Sequence, residues 1–158
     1  MQIFKAASIL ALAANAVADL TQYQFFAESD NQDINGHGLY YYDEGGSTNY
    51  YFIANDTDAS SASTVTYDSD TQEFYHQVSP QQKYVVTDGT NSVFQLSGSG
   101  QPLTGDISSN GVVFFGSPYK LSAVKNIGDP KGYSDYNYGI LTTEVANGIS
   151  VTIIAKKV

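Results

Sequence analysis

The sequence has no cysteine, no tryptophan and no arginine; its seven basic residues are all lysine. Without cysteine, the disulfide frameworks of small exported toxins and ligand domains are excluded, so packing and backbone pairing alone must hold the fold. Phosphate and carboxylate recognition usually recruits arginine forks, and nucleic-acid binding needs a basic footprint. With no arginine and a formal net charge of −9, the chain points away from nucleic acid and from anionic membrane surfaces. Beyond the first eighteen residues, no segment is apolar enough to cross a bilayer, which takes about 20 apolar residues.

Those first residues are a different case. Met1 to Ala18 carries one positive charge, Lys5, then the apolar run Ala6-Ala7-Ser8-Ile9-Leu10-Ala11-Leu12-Ala13-Ala14. It closes on Ala16-Val17-Ala18, a small-x-small cleavage pattern, before the polar Asp19. This is the three-part layout of a secretory signal peptide, so residues 1–18 are expected to be removed on export. Residues 19–158 then form a single domain, long enough to bury a core without crosslinks.

What the exported part does contain is aromatic: thirteen tyrosines and eight phenylalanines in the whole chain. It shows no sustained 3.6-residue apolar period. Short alternating runs are separated by Gly, Asn, Asp and Ser clusters, which predicts an all-β domain with frequent turns. Twelve strands are expected: Tyr23–Ala27, Leu39–Tyr42, Tyr50–Ala54, Thr64–Tyr67, Glu73–Val78, Lys83–Thr87, Ser92–Leu96, Leu103–Ile107, Val112–Phe115, Tyr119–Val124, Gly139–Val145 and Ile149–Ala155. Asn110-Gly111 and Asn147-Gly148 read as type I′ hairpin turns. Asp88-Gly89 reads as a turn between the sixth and seventh strands, and Asp68-Ser69-Asp70-Thr71 as an Asx-stabilised one.

A weak internal repeat runs through these segments. Without gaps, Tyr67–Tyr75 aligns with Ile107–Phe115, each an apolar residue, four turn residues and a strand ending in an aromatic pair. Tyr84-Val85-Val86 likewise matches Leu121-Ser122-Ala123-Val124. A looser third copy uses Val145-Ala146-Asn147-Gly148-Ile149, with Phe25-Phe26-Ala27 as its following strand. Three copies of roughly 40 residues, closed by the N-terminal strand, predict a β-trefoil-like barrel; a two-sheet β-sandwich is the alternative.

Candidate chemistry is sparse. Asn55-Asp56-Thr57 is an N-glycosylation acceptor beside the small, polar stretch Thr57–Ser63. Asn31-Gln32-Asp33-Ile34-Asn35-Gly36 resembles the start of a calcium loop, but Tyr42 stands where the bidentate glutamate belongs, so an Asx-rich turn is expected. His37 and His76 are isolated, no residues have metal-ligand spacing, and no serine lies in a nucleophile elbow. No metal, cofactor or catalytic residue is therefore expected. Carboxylates such as Asp43, Glu44, Asp68, Asp70, Glu73 and Asp135 are of the type glycoside hydrolysis needs, but most fall in turns. The segment Asp129–Tyr138 is a tyrosine-rich loop. In an extended backbone, Tyr133, Tyr136 and Tyr138 would project together, which makes them the candidate carbohydrate contacts.

The run Asn35-Gly36-His37-Gly38-Leu39-Tyr40-Tyr41-Tyr42-Asp43-Glu44-Gly45-Gly46-Ser47-Thr48-Asn49-Tyr50-Tyr51-Phe52 resembles the N-terminal domain of small secreted yeast cell-wall mannoproteins, including the GPI-anchored wall proteins of Candida-type yeasts. Val65-Thr66-Tyr67-Asp68, Glu73-Phe74-Tyr75, the run Tyr119–Pro130 and the ending Ile154-Ala155-Lys156-Lys157-Val158 are similar as well. The resemblance implies a non-enzymatic, glycosylated component of the fungal wall or cell surface. Its expected partners are wall polysaccharide or other wall glycoproteins. The sequence shows neither the Ser/Thr-rich stalk nor the GPI signal of anchored relatives, so release or non-covalent wall retention is expected. The alternatives are a carbohydrate-binding module and a small glycoside hydrolase.

Overall fold

The computed structural model describes residues 19–116 and 119–158; the expected signal peptide lies outside the described residues. The strands are β1 Leu20–Glu28, β2 Leu39–Gly45, β3 Thr48–Ile53, β4 Thr64–Asp68, β5 Glu73–Ser79, β6 Gln82–Asp88, β7 Phe94–Ser97, β8 Asp106–Ile107, β9 Val113–Phe114, β10 Leu121–Val124, β11 Gly139–Leu141 and β12 Ile149–Lys157. Each overlaps one of the twelve expected segments, although β8 and β11 are shorter than the expected Leu103–Ile107 and Gly139–Val145. Alternation of apolar and polar residues is thus enough to locate the strands, because one face of each is buried and the other is wet.

The pairings arrange them in three similar units. β1, β4, β5, β8, β9 and β12 follow one another around a ring. Antiparallel ladders join β1 to β4, β4 to β5, β8 to β9 and β12 to β1. The two remaining junctions rest on single bridges, Glu73 with Thr104 and Val112 with Ile154. The ring is therefore barrel-like without being closed by continuous ladders.

Hairpins β2–β3, β6–β7 and β10–β11 form a cap on the ring. They meet each other through a β3–β7 ladder, the β11–β3 pair Gly139 with Phe52, and the Val93–Leu141 bridge. Each hairpin also bonds to the last strand of its own unit: Ser63 N–H to Leu39 O (2.9 Å), Leu103 N–H to Val86 O (2.8 Å), and the β10–β12 ladder. Units β1–β4, β5–β8 and β9–β12 thus repeat one plan, the β-trefoil-like arrangement expected from the sequence.

The repeat differs from the sequence reading in two details. The third equivalent of the β4–β5 and β8–β9 hairpins is the β12–β1 junction, where Tyr23 pairs with Lys157. Asn147-Gly148 lies instead in the β11–β12 connection. The gapless alignment also slips by one residue. Phe74 is fully buried, yet its aligned mate Phe114 is 57% exposed, and Phe115 is the buried one. A one-residue difference in turn length flips side chains to the other face of a strand.

Three phenylalanines, one per unit, meet at the centre of the ring: Phe74 lies 5.2 Å from Phe25 and 5.8 Å from Phe115. Tyr51 and Phe94 extend this core into the cap, with centroids 5.0 Å apart. Such rings contribute through buried area and edge-to-face contacts, and truncating one to alanine typically costs about 3–5 kcal/mol.

The two Asn-Gly turns are not type I′, which needs positive φ at both central residues. At β8–β9, Gly111 N–H bonds to Ser108 O (2.9 Å), and Gly111 alone of Asn110-Gly111 has positive φ, +88°. This is a tight turn over Ser108–Gly111 followed by a left-handed glycine, as in a bulged hairpin. Gly148 has no positive φ; it is needed for close approach, since a Cβ there would stand 2.6 Å from Val145 Cγ2. Gly89 is extended, with φ −83° and ψ −178°. The Asx reading of Asp68 holds: its Oδ1 accepts from Asp70 N–H at 2.9 Å.

Candidate functional site

The segment after β10 is folded around two buried polar side chains. Asp129 and Ser134 are 7% and 0% exposed. Asp129 accepts from Tyr133 N–H (2.6 Å), from Ser134 N–H (3.1 Å) and from the Ser134 hydroxyl. Ser134 Oγ in turn accepts from Ile127 N–H (3.0 Å). A carboxylate that caps successive N–H groups nucleates a helical turn, and Tyr133–Asp135 is accordingly a 3-10 turn. The tyrosines are therefore not on an extended backbone, as the alternation suggested. They diverge: Tyr136 is 81% exposed, Tyr138 packs against the core, and Tyr133 turns onto β2.

The same loop is docked on β2. Lys131 N–H donates to Glu44 Oε2 (3.0 Å), Lys131 Nζ lies 3.5 Å from Asp43 Oδ2, and Tyr133 stacks on Tyr42 with centroids 4.0 Å apart. Glu44 is buried, and its Oε1 has no hydrogen-bond partner among the described residues. Burial pushes its pKa up. Burial acts in the same direction on Asp129, but the bonds from Ser134 and Tyr133 outweigh it and hold Asp129 below the usual carboxylate range. Hydrogen bonding with Tyr42 pushes Tyr133 up to about 12. Two carboxylates shifted in opposite senses is a pattern acid–base sites also use. Here each already accepts backbone N–H groups of the loop. Asp129 was not among the carboxylates singled out by sequence; its place four residues before Tyr133 was the available capping signal.

Asn55 is exposed, two residues after the buried end of β3. Its Nδ2 donates to Asn137 Oδ1 at 3.3 Å. The structure thus brings together two features read separately, the glycosylation acceptor and the tyrosine loop. The remaining candidates are spread out. Asp68 holds its turn, and Glu73 pairs with Lys83 at 2.7 Å. Asp33 N–H bonds to Asn31 Oδ1 (2.8 Å), an Asx turn. His37 Nδ1 bonds to Ala54 O (2.7 Å) and His76 Nδ1 to the Tyr41 hydroxyl (3.0 Å). Burial lowers the His76 pKa. Among the described residues, no three His, Cys, Asp or Glu side chains are grouped to hold a metal ion.

Sequence reasoning missed a groove of about 610 Å³ between β9, β10 and the β11–β12 connection. Phe114 and Tyr119, 57% and 36% exposed, line it together with Glu144, Ser122, Ser150 and Thr152. Only the flip of the Phe114-Phe115 pair reveals that one ring faces solvent.

These features define a small all-β domain in which buried Glu44, Asp129 and Ser134 hold one loop, and which displays aromatic and amide groups around a barrel. The chain is similar to three curated proteins of Candida albicans. It is 37% identical to cell wall protein PGA30 over 161 residues, covering 99% of this chain and 55% of that protein. It is 32% identical to cell wall protein PGA31 over 143 residues, covering 89% and 48%. With cell wall protein RHD3 it shares 27% identity over 151 residues, covering 94% and 72%. The chain spans about half the length of the first two relatives. No family model matches it, and no solved structure does. This similarity over nearly the whole chain agrees with the resemblance carried by residues 35–52 and supports a secreted, wall-associated location.

Proposed function

We propose that this domain is an N-glycosylated component of the fungal wall or surface, with a structural or interaction role and no catalysis. The observation that carries the reading is the use of its buried carboxylates: Glu44 and Asp129 both receive backbone N–H groups of one loop and serve to fix it on β2. The exposed Asn55 acceptor adds to this, because glycosylation needs the asparagine at the surface. Expression in a fungal host tests it. The wild-type chain should fractionate with the wall or medium and shift on endoglycosidase treatment, and Asn55→Gln should abolish that shift. Equal masses for the two chains would refute glycosylation. Release of reducing sugar from β-glucan, mannan or chitin would refute the non-catalytic role and favour a glycoside hydrolase.

A second reading is carbohydrate binding. It is supported by exposed rings beside hydroxyl and carboxylate groups, the arrangement that stacks on sugars and bonds their hydroxyls. Of Tyr133, Tyr136 and Tyr138, only Tyr136 offers a freely exposed ring; Tyr133 and Tyr138 are engaged elsewhere. The Phe114–Tyr119 groove is the better-formed surface. Pull-down on the three polysaccharides, with a Phe114→Ala/Tyr119→Ala variant and Tyr136→Ala in parallel, separates these two surfaces.

A further inference from the structure

The chain is exported to a compartment where disulfides persist, yet it has no cysteine. Among the tyrosine pairs of the described residues, the one most widely separated in sequence joins β2 to the loop beyond β10. We propose that Tyr42 and Tyr133 are a site of oxidative coupling, forming an intramolecular dityrosine that ties this loop to β2.

The geometry singles out this pair. Its ring centroids are 4.0 Å apart, closer than the roughly 4.5–7 Å usual for aromatic pairs. The planes are tilted by 51° rather than edge-on. At this centroid separation the two phenol rings are in contact, and the carbons ortho to oxygen are the positions that couple. Two other tyrosine pairs are less suited. Tyr23–Tyr67 stands at 6.3 Å and Tyr41–Tyr51 at 5.7 Å, both T-shaped, and Tyr51 is fully buried. Tyr42 is 39% exposed, so an oxidant can reach it. The backbone on both sides is fixed: β2 by its ladder to β3, the loop by Asp129, and the two together by Lys131 on Glu44.

The co-reactant is a peroxide acting through a peroxidase. Each phenol gives up one electron and one proton, leaving a phenoxyl radical. The two radicals join through one new carbon–carbon bond between ortho positions, and the two ortho hydrogens move to the oxygens as the rings regain aromaticity. Two tyrosines and one hydrogen peroxide thus give one dityrosine and two waters. A crosslink between residues so far apart in sequence restricts the unfolded chain, as a long-loop disulfide does.

The test treats the purified secreted chain with a peroxidase and hydrogen peroxide. Expected are dityrosine fluorescence in the monomer fraction, a monomer mass lower by two hydrogens, and a crosslinked peptide joining Tyr42 to Tyr133. The melting temperature of the coupled monomer should rise. Tyr42→Phe and Tyr133→Phe keep the ring packing, and each should reduce monomer dityrosine at least tenfold. Tyr136→Phe should leave it unchanged. Dityrosine confined to covalent dimers, a mapped link between other residues, or undiminished monomer yield in either Phe variant would overturn the proposal. The peptide map of the wild-type chain needs no variant and decides the question even if a substitution perturbs folding.

Discussion

Gly111 and Gly45 provide a matched comparison for what closes the barrel. Their φ values are nearly equal, +88° and +87°. Alanine at either position meets the same left-handed strain, about 1–2 kcal/mol. Either gains the same reduction in unfolded-state freedom, about 0.4–1 kcal/mol. The surroundings differ. Around Gly45 a Cβ meets nothing within 4 Å, whereas at Gly111 it would stand 2.9 Å from the Ala155 carbonyl oxygen and 3.4 Å from Ile154 Cγ2. That oxygen is backbone and cannot rotate away. Gly111 O also accepts from Ala155 N–H at 2.8 Å, next to the single Val112–Ile154 bridge that joins β9 to β12. Making room for the Cβ therefore strains one of the two weakest junctions of the ring, at an overpacking cost of about 1–3 kcal/mol. Gly45→Ala should lose roughly 0.5–1 kcal/mol. Gly111→Ala should lose roughly 1.5–4 kcal/mol, placing its melting temperature some 3–10 °C below that of Gly45→Ala. Thermal and urea unfolding of both variants measure this. Equal destabilisation would show that backbone strain alone matters at Gly111 and that the close β9–β12 approach is not an element of stability.

Phe74→Ala removes the ring shared by the Phe25 and Phe115 contacts and should cost about 3–5 kcal/mol, read from the urea midpoint. Tyr136→Ala should change stability by less than about 0.5 kcal/mol, whereas Tyr138→Ala, cut from a ring packed against the core, should lower the melting temperature measurably; equal effects would contradict their different burial. Asp129 has a folded pKa below its ordinary 3.8, so its stabilisation is complete above the unfolded value and is lost as pH falls through the folded one. Unfolding free energy should therefore decline below about pH 4, and more steeply in the wild type than in Asp129→Asn.

By itself the sequence determined the all-β class and the approximate place of each described strand, though not its ends. Pattern and turn residues are local, and a half-buried strand writes its faces directly into alternation. It also carried enough of the threefold repeat to indicate a trefoil-like plan, and enough of the segment from Asn35 to Phe52 to indicate the wall-protein kinship. Tertiary structure decided what depends on a single residue's face or on distant partners. Phe114 and Phe115 are chemically identical neighbours, and only the length of the Ser108–Val112 turn selects which enters the core and which lines the groove. The type of an Asn-Gly turn is set by the strands it must join; Gly148 serves a close approach to Val145 within its turn and to Ser122 on β10. Alternation alone predicts an extended tyrosine loop, because it has no term for a carboxylate that bonds successive N–H groups. Asp129 winds that segment into a turn and sends Tyr133 onto Tyr42, a partner far away in sequence. Contacts of that separation are made by the fold as a whole, which is why neither the Tyr42–Tyr133 pair nor the Asn55–Asn137 contact could be read along the chain.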